Sequence, residues 1–380
     1  MIIKNVTIVN ADKIEENGYV KIDGSIIAEV GKDYKGADGV DYRRARILPG
    51  FIDTHIHGIM GADVCDQPKL ALDNLSKYLP LEGTTSFCPT TLTVGTEQLN
   101  GVIDAVLNFE EPTAGATFVG VHLEGPFIDK KYKGAQNGDY IVPPTIENFE
   151  RITQGHNDII AQMTYAVEKA DVSFTEYLVK NGVVAAVGHS GAEFKDVIEH
   201  SEYGLSKVTH LHNASSPHHH RKPGVVTAGL YSDDLYVEMI ADGVHLHFDV
   251  LKTVFKIKGS AKIVLVTDSL SAKNMPDGDY ELGGQAMVKK GNELRLASGP
   301  LAGSIMPMSG CVKNMMLHAN ANWMDVVRMT SLNAAKQLNI DDKVANIQVG
   351  YVADLVVLDD DCNVLDTYCR GVKVAKSRSK

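Results

Sequence analysis

The sequence predicts an α/β protein, a (β/α)8 TIM-like barrel joined to a small β-sandwich domain formed from both chain termini. Three observations carry that expectation. Across about residues 48–340, eight short apolar runs alternate with segments of helical spacing. Polar residues gather after the C-terminal ends of those runs. Both chain ends read as hairpins, and each is too small to bury a core by itself.

At the N-terminal end, Tyr19-Val20-Lys21-Ile22 and Ser25–Val30 flank Asp23-Gly24, a pair that suits the positive φ of a tight hairpin turn. At the other end Ala353–Leu358 reads as a buried strand, and Asn363-Val364-Leu365 leads through Arg370-Gly371 into a second hairpin. The expected domains are therefore 1–47 with 341–380 as the small β domain, and 48–340 as the catalytic barrel. The barrel runs are Ile47–Ile52, Thr84–Cys88, Thr117–His122, Ile160–Ala166, Val183–Val187, Lys207–His210, Tyr236–Ile240 and Lys262–Val266. Between them, Leu70–Leu79, Gln98–Phe109, Phe174–Lys180 and Phe194–His200 show helical spacing.

Composition removes several function classes. The chain has 380 residues, 44% hydrophobic and 22% charged, as expected of a globular protein with a full core. A net charge of −11 without a basic block argues against nucleic acid as a partner. No apolar run approaches the roughly 18 residues of a membrane span, and the N-terminus lacks the apolar core of a signal peptide. The five cysteines, Cys65, Cys88, Cys311, Cys362 and Cys369, are odd in number and scattered, so neither a disulfide framework nor a cysteine zinc site is indicated. A cytoplasmic protein with reduced thiols is expected.

The chemistry starts at Pro49-Gly50-Phe51-Ile52-Asp53-Thr54-His55-Ile56-His57-Gly58. Side chains two apart on a strand share a face, so His55 and His57 point together, and imidazole suits zinc, iron and nickel. Further polar residues follow later runs: Glu124 in Val121-His122-Leu123-Glu124-Gly125-Pro126-Phe127, His189 in Gly188-His189-Ser190, His210 in Thr209-His210-Leu211-His212-Asn213-Ala214, and Asp268 in Thr267-Asp268-Ser269. The C-terminal mouth of a barrel of this kind is where active sites are built. Two histidines and a glutamate form a catalytic ligand set, which Glu124, His189 and His210 supply. His55 and His57 complete it or hold a second ion bridged by Glu124. A bound divalent ion brings the pKa of its water from 15.7 to roughly 7, and Asp268 is placed to take that proton and return it to a leaving group.

Each residue also has a structural reading. His189 alone suits a hydrogen-bonded core histidine, Glu124 a loop cap, and Asp268 a helix N-cap. His122 and His212 alternate with Glu124 and His210, so they are left out of the metal set as structural. His218-His219-His220 reads as a solvated loop. Met306, Met308, Met315 and Met316 read as packing.

Taken together, the motifs resemble the amidohydrolase superfamily. Pro-Gly-Phe-Ile-Asp-Thr-His-Ile-His-Gly is similar to its signature, and Gly350-Tyr351-Val352-Ala353-Asp354-Leu355-Val356 to its second β domain. The His-Leu-Glu-Gly-Pro-Phe and His-Leu-His-Asn-Ala segments resemble its N-acetylglucosamine-6-phosphate deacetylase branch, over essentially the whole chain. The resemblance implies that Glu124, His189 and His210 hold the principal metal and that Asp268 is the general base and acid. It implies substrate contacts from Ala135 and Gln136, from Asn213 and Ala214, from His245, and from the loop Leu301-Ala302-Gly303. Arg221 matches a phosphate-binding arginine, apt because guanidinium meets phosphate bidentately. Gln136 stands where some members carry histidine; it can donate a hydrogen bond but carries no charge. The cofactor implied is a divalent metal, one or two ions per subunit, zinc first and Fe2+, Mn2+, Co2+ or Ni2+ as alternatives. With both His55 and His57 present, a two-ion site bridged by Glu124 is expected. No lysine lies within the fourth run, Lys169 falling just after it, so a carbamylated-lysine bridge is not expected. A phosphorylated amino-sugar substrate and a homodimer complete the expectation. The rivals are a deacetylase for the galactosamine epimer, another amide hydrolase, and a non-catalytic sugar-phosphate sensor.

Overall fold

The computed structural model describes residues 1–374. The stretch Arg46–Ile56 is the hinge between its two main sheets, and Gly50 divides it. Arg46–Pro49 runs antiparallel to Leu355–Leu358 and parallel to Ile2–Val9 in an eight-stranded sheet drawn from both ends of the chain. Phe51–Ile56, here β1, begins the barrel. The single run expected at Ile47–Ile52 is thus two strands. A Cβ at Gly50 would collide with the buried Thr85 side chain, so glycine lets the two sheets approach at their junction. Gly50→Ala is expected to lower stability by about 1–3 kcal/mol, the usual cost of overpacking. The urea midpoint should fall, and Thr85→Ala in the same chain should recover much of the loss; an unchanged midpoint for Gly50→Ala alone would refute this packing account.

The remaining barrel strands are β2 (Thr84–Thr91), β3 (Val121–Glu124), β4 (Ile160–Tyr165), β5 (Val184–Val187), β6 (Lys207–Val208), β7 (Tyr236–Met239) and β8 (Ile263–Leu265). They pair in parallel in chain order from β1 to β8. The circle is closed just beyond the strand ends, where Ile56 bridges Ser269 and Asp268 N donates to the His55 carbonyl at 2.8 Å. Closure therefore occurs at the residues that carry the candidate chemistry. The third run is also split: Thr117–Phe118 pairs in parallel with the first half of β2, and after Gly120, at φ +121°, the chain resumes along the second half of β2 as β3. A Cβ on Gly120 would lie 2.6 Å from that of Ala161.

Helices cover the barrel by burying one face each. Thr96–Leu107 buries Leu99, Val102, Ile103 and Val106, the i, i+3, i+4, i+7 stripe of an amphipathic helix. Pro68–Tyr78 begins with proline in its first turn and buries Ala71, Leu72 and Leu75. The helices at Val172–Lys180 and Phe194–Glu202 occupy the other two expected segments.

The end sheet has its own apolar cluster, joining Ile3, Val6 and Ile8 to Leu355, Val357 and Tyr368. Both ends of the chain contribute to it. Its hairpins turn at Gly24 (φ +57°) and at Arg370-Gly371 (φ +46° and +77°). Residues 375–380 of the expected terminal domain lie outside the described residues. A three-stranded antiparallel meander, Gly278–Leu282, Gln285–Lys290 and Glu293–Leu296, had no counterpart in the expected strands. It leans over the barrel mouth, with Gln285 donating its side-chain amide to the Ala135 carbonyl at 2.6 Å.

Candidate active site

The barrel mouth gathers His55 and His57 from the end of β1, Glu124 from β3, His189 after β5, His210 after β6 and Asp268 after β8. All six are buried, none more than 8% exposed. Glu124 is the hub. Its Oε1 lies 3.1 Å from His189 Nε2, 2.9 Å from His210 Nε2 and 3.4 Å from His55 Nε2. Its Oε2 lies 3.3 Å from His57 Nε2. Asp268 Oδ1 is 3.2 Å from His57 Nε2 and 3.5 Å from His55 Nε2.

The backbone is bent to achieve this. His189, His210, Ala214 and Asp268 all sit at positive φ, between +28° and +48°. Non-glycine residues rarely occupy that region, and they persist there when the surroundings over-determine them, characteristically at functional sites. A strand that simply continued would carry these side chains past the mouth.

The histidines are oriented by what their other nitrogens touch. Nδ1 of His55 faces Glu238 Oε2 at 3.0 Å, that of His57 the Thr90 carbonyl at 3.2 Å, and that of His189 the Tyr132 carbonyl at 3.0 Å. Each of these partners accepts only, so Nδ1 carries the proton and the Nε2 lone pair is aimed at the cleft. Two groups have their ligand atoms within 4.8 Å of one another, His55–His57–Glu124 and Glu124–His189–His210. His55 Nε2 is buried without a hydrogen-bond partner. With a proton on Nε2 as well, burial works against the charge on His57, yet its hydrogen bonds to Asp268 and Glu124 prevail and push it up to about 9; a bound cation would displace that proton and use the lone pair. Burial likewise opposes ionisation of Asp268, but the charges of His55 and His57 hold its carboxyl below the ordinary value. Two carboxylates in one buried cleft call for positive charge, and converging Nε2 lone pairs suit a cation. A divalent ion fits this donor set.

The cleft is lined by His57, Glu124, Ala135, Gln136, His189, His210, Asn213, Ala214, His245, Asp268, Leu301 and Ala302. His55 lies directly below it. Gly303 packs behind, against the Asp268 carbonyl and Leu270, and Ser304 N donates to that carbonyl at 2.9 Å. Gln136 is committed at both ends, donating to Glu124 Oε2 at 2.6 Å and accepting from Thr93 N at 2.7 Å. It holds the hub carboxylate as well as facing the cleft. His245 Nδ1 is 2.7 Å from Asp242 Oδ2; burial lowers its pKa and the bond to Asp242 raises it, with a net increase.

Arg221 is not brought to this cleft. It lies on an exposed loop with Nη1 2.6 Å from His220 Nε2. His212 also turns away, lining a separate apolar groove with His218, Tyr231 and Ile257. His122 is inside the barrel, its Nε2 2.8 Å from Thr164 Oγ1. Lys169 pairs with Asp129 at 2.9 Å, outside the cleft. Leu92, Gly134 and Leu282 line the cleft without having been singled out in the sequence. Leu282 belongs to the meander, and no periodicity links it to the mouth. Asp242, two residues after an apolar strand end and three before His245, carried a signal that spacing could have flagged.

Comparison with known proteins agrees with the geometry. Residues 46–374 match the model of the amidohydrolase family. This chain belongs to the amidohydrolase family. Among its amidohydrolase relatives, the N-acetylglucosamine-6-phosphate deacetylase of Bacillus subtilis (strain 168) is 39% identical, over 98% of this chain and 96% of that protein. The N-acetylgalactosamine-6-phosphate deacetylase of Escherichia coli O157:H7 is 30% identical, over 87% of this chain and 89% of the other. The crystal structure of N-acetylglucosamine-6-phosphate deacetylase from Thermotoga maritima superposes with a TM-score of 0.89 at 34% identity, covering 99% and 100% of the two chains. The amidohydrolase family is metal-dependent, and the two residue groups described above could each hold an ion. Among the described residues no helix is long and apolar enough to cross a membrane.

Proposed function

We infer that the chain is an N-acetylglucosamine-6-phosphate deacetylase of amino-sugar catabolism, converting N-acetylglucosamine 6-phosphate and water to glucosamine 6-phosphate and acetate. The observation that carries this is the convergence of Glu124, four imidazoles and Asp268 on one cleft, in a chain that matches deacetylases over nearly its whole length. Zinc is the ion we propose, one at Glu124, His189 and His210 and a second at His55, His57 and Glu124. Bound there, a divalent ion polarises an acyl carbonyl and makes an adjacent water easier to deprotonate.

The chain's own groups do the rest. Asp268, ionised and facing the cleft, takes a proton from the attacking water and delivers it to the nitrogen as the C–N bond breaks. That delivery matters because an amine departs poorly as an anion. Gln136 holds Glu124 in place, and Ala135, Asn213, Ala214, His245, Leu301, Ala302 and Gly303 shape the space for the sugar. Asp242 keeps His245 with Nε2 toward the cleft.

We assign the phosphate to Arg221. Because its loop lies outside the cleft of its own chain, this contact needs the loop to close or a second subunit to present it. A homodimer would supply the latter, and the exposed Tyr231 and Ile257 offer apolar surface beside His218 for it. Arg221→Ala is expected to raise KM for the phosphorylated sugar roughly 10-fold or more, the 1.5–3 kcal/mol of a hydrogen bond to a charged group, with little change for the unphosphorylated sugar. Equal loss on both substrates would remove Arg221 from the phosphate site. A cytoplasmic setting suits the five free, buried thiols.

Acetate release from N-acetylglucosamine 6-phosphate tests the reaction, with the galactosamine epimer run in parallel. The second reading, preference for that epimer, draws on the relative from Escherichia coli O157:H7. Turnover of neither by zinc-loaded protein would leave the non-catalytic or other-amide readings.

A further inference from the structure

Below the cleft, the barrel interior is polar at a level usually filled by branched apolar side chains. Glu238, on β7, is fully buried and does not line the cleft. Its Oε2 lies 3.0 Å from His55 Nδ1 and 3.3 Å from the backbone N of His210. Its Oε1 accepts from Gln162 Nε2 at 2.9 Å and is 3.4 Å from Lys207 Nζ. Lys207, also fully buried, donates to Gln162 Oε1 at 2.6 Å. Glu238, Gln162 and Lys207 thus close a three-membered polar ring beneath the histidines.

Burying an ion pair costs desolvation on both sides, and well-packed apolar residues usually serve stability as well or better. What this pair supplies is orientation. A carboxylate can only accept, so it fixes the proton of His55 on Nδ1 and turns Nε2 toward Glu124 and Asp268. His57 and His189 are oriented by backbone carbonyls, which no side-chain change removes. Among these three, only His55 depends on a side chain. Lys207 neutralises Glu238, so that the acceptor is held at depth without an uncompensated charge.

We propose that Glu238, neutralised by Lys207, is a positioning residue that makes His55 a ligand and so selects for occupancy of the second ion site, at His55, His57 and Glu124. The inference rests on the two-ion reading given above. The test is titration of metal-free protein with zinc, counting ions by elemental analysis and measuring each affinity by calorimetry. The variants are the double substitution Glu238→Leu with Lys207→Met, which removes the pair without stranding a charge, and the milder Glu238→Gln, whose amide oxygen can still accept from His55. Wild type should bind two ions. In the double variant the second ion should bind roughly 10–100-fold more weakly, the usual effect of losing an outer partner of a ligand, while the first changes less than about threefold. Glu238→Gln should fall between them, and it carries the test if the double variant does not fold. Unchanged second-ion affinity in the variants overturns the proposal, as does equal weakening of both ions. A single ion in wild type overturns the two-ion reading itself, and is distinguished by the wild-type count alone.

Discussion

Replacing Asp268 by asparagine is expected to lower kcat by roughly 10²–10⁴-fold, the usual worth of general acid–base catalysis, with metal content unchanged. Asparagine has nearly the same volume, and its side-chain oxygen can still face His57, which lies 3.2 Å from Asp268 Oδ1. What it cannot do is accept the proton of water and surrender it to nitrogen. The backbone should stay in place, because Asp268 N is tied to the His55 carbonyl and its own carbonyl to Ser304 N. Acetate release and elemental analysis on the same sample provide the check. Wild-type turnover would show that another group shuttles the proton, and loss of metal would mean that Asp268 chiefly holds the ion.

The second large effect is expected at Glu124. Its two oxygens face four imidazoles, at 2.9, 3.1, 3.3 and 3.4 Å, and Oε2 also accepts from Gln136. Burial alone would raise this carboxyl, but the charges of His55 and His189 hold it well below the ordinary glutamate range. Glu124→Gln removes the shared negative charge from both ligand groups and sets one amide against another at Gln136. On the proposed two-ion reading both ions should bind more weakly, and activity should fall at least about 10³-fold. That is the rate equivalent of the several kcal/mol a Lewis acid supplies. Thermal unfolding of the metal-free protein separates this from misfolding, since the variant also loses a buried charge. Full metal content in the variant would take Glu124 out of the ligand set.

Legibility in the sequence followed how locally each feature is encoded. The Asp23-Gly24 turn, the amphipathic stripe from Leu99 to Val106 and the His55-Ile56-His57 alternation need only neighbouring residues to make sense. The order of barrel strands follows from chain order, because parallel strands joined by helical crossovers pair sequentially. Strand limits were less legible. Ile47–Ile52 and Thr117–His122 look continuous in hydropathy, yet Gly50 and Gly120 divide them because of what lies across the gap, Thr85 in one case and Ala161 in the other. Those contacts span many residues and leave no local trace. The meander over the mouth escaped notice for a related reason: Gly278–Leu282 and Gln285–Lys290 alternate around Gly283-Gly284, but after the eighth strand nothing in barrel architecture demands them.

The sequence by itself singled out the residues proposed to carry the chemistry: the two strand-end histidines, Glu124, His189, His210 and Asp268, all following apolar runs. It determined the family too, since those motifs lie within single short segments. Only the tertiary structure decided how they are used. It made Glu124 the hub between two ligand groups, tied Gln136 to that hub, and put Glu238 and Lys207 beneath His55. It also left Arg221 on an exposed loop, away from the cleft to which the family resemblance assigned it. The physical reason is common to all four. Which way each of these side chains faces depends on packing and hydrogen-bond partners brought in from distant segments, and a linear pattern does not specify them.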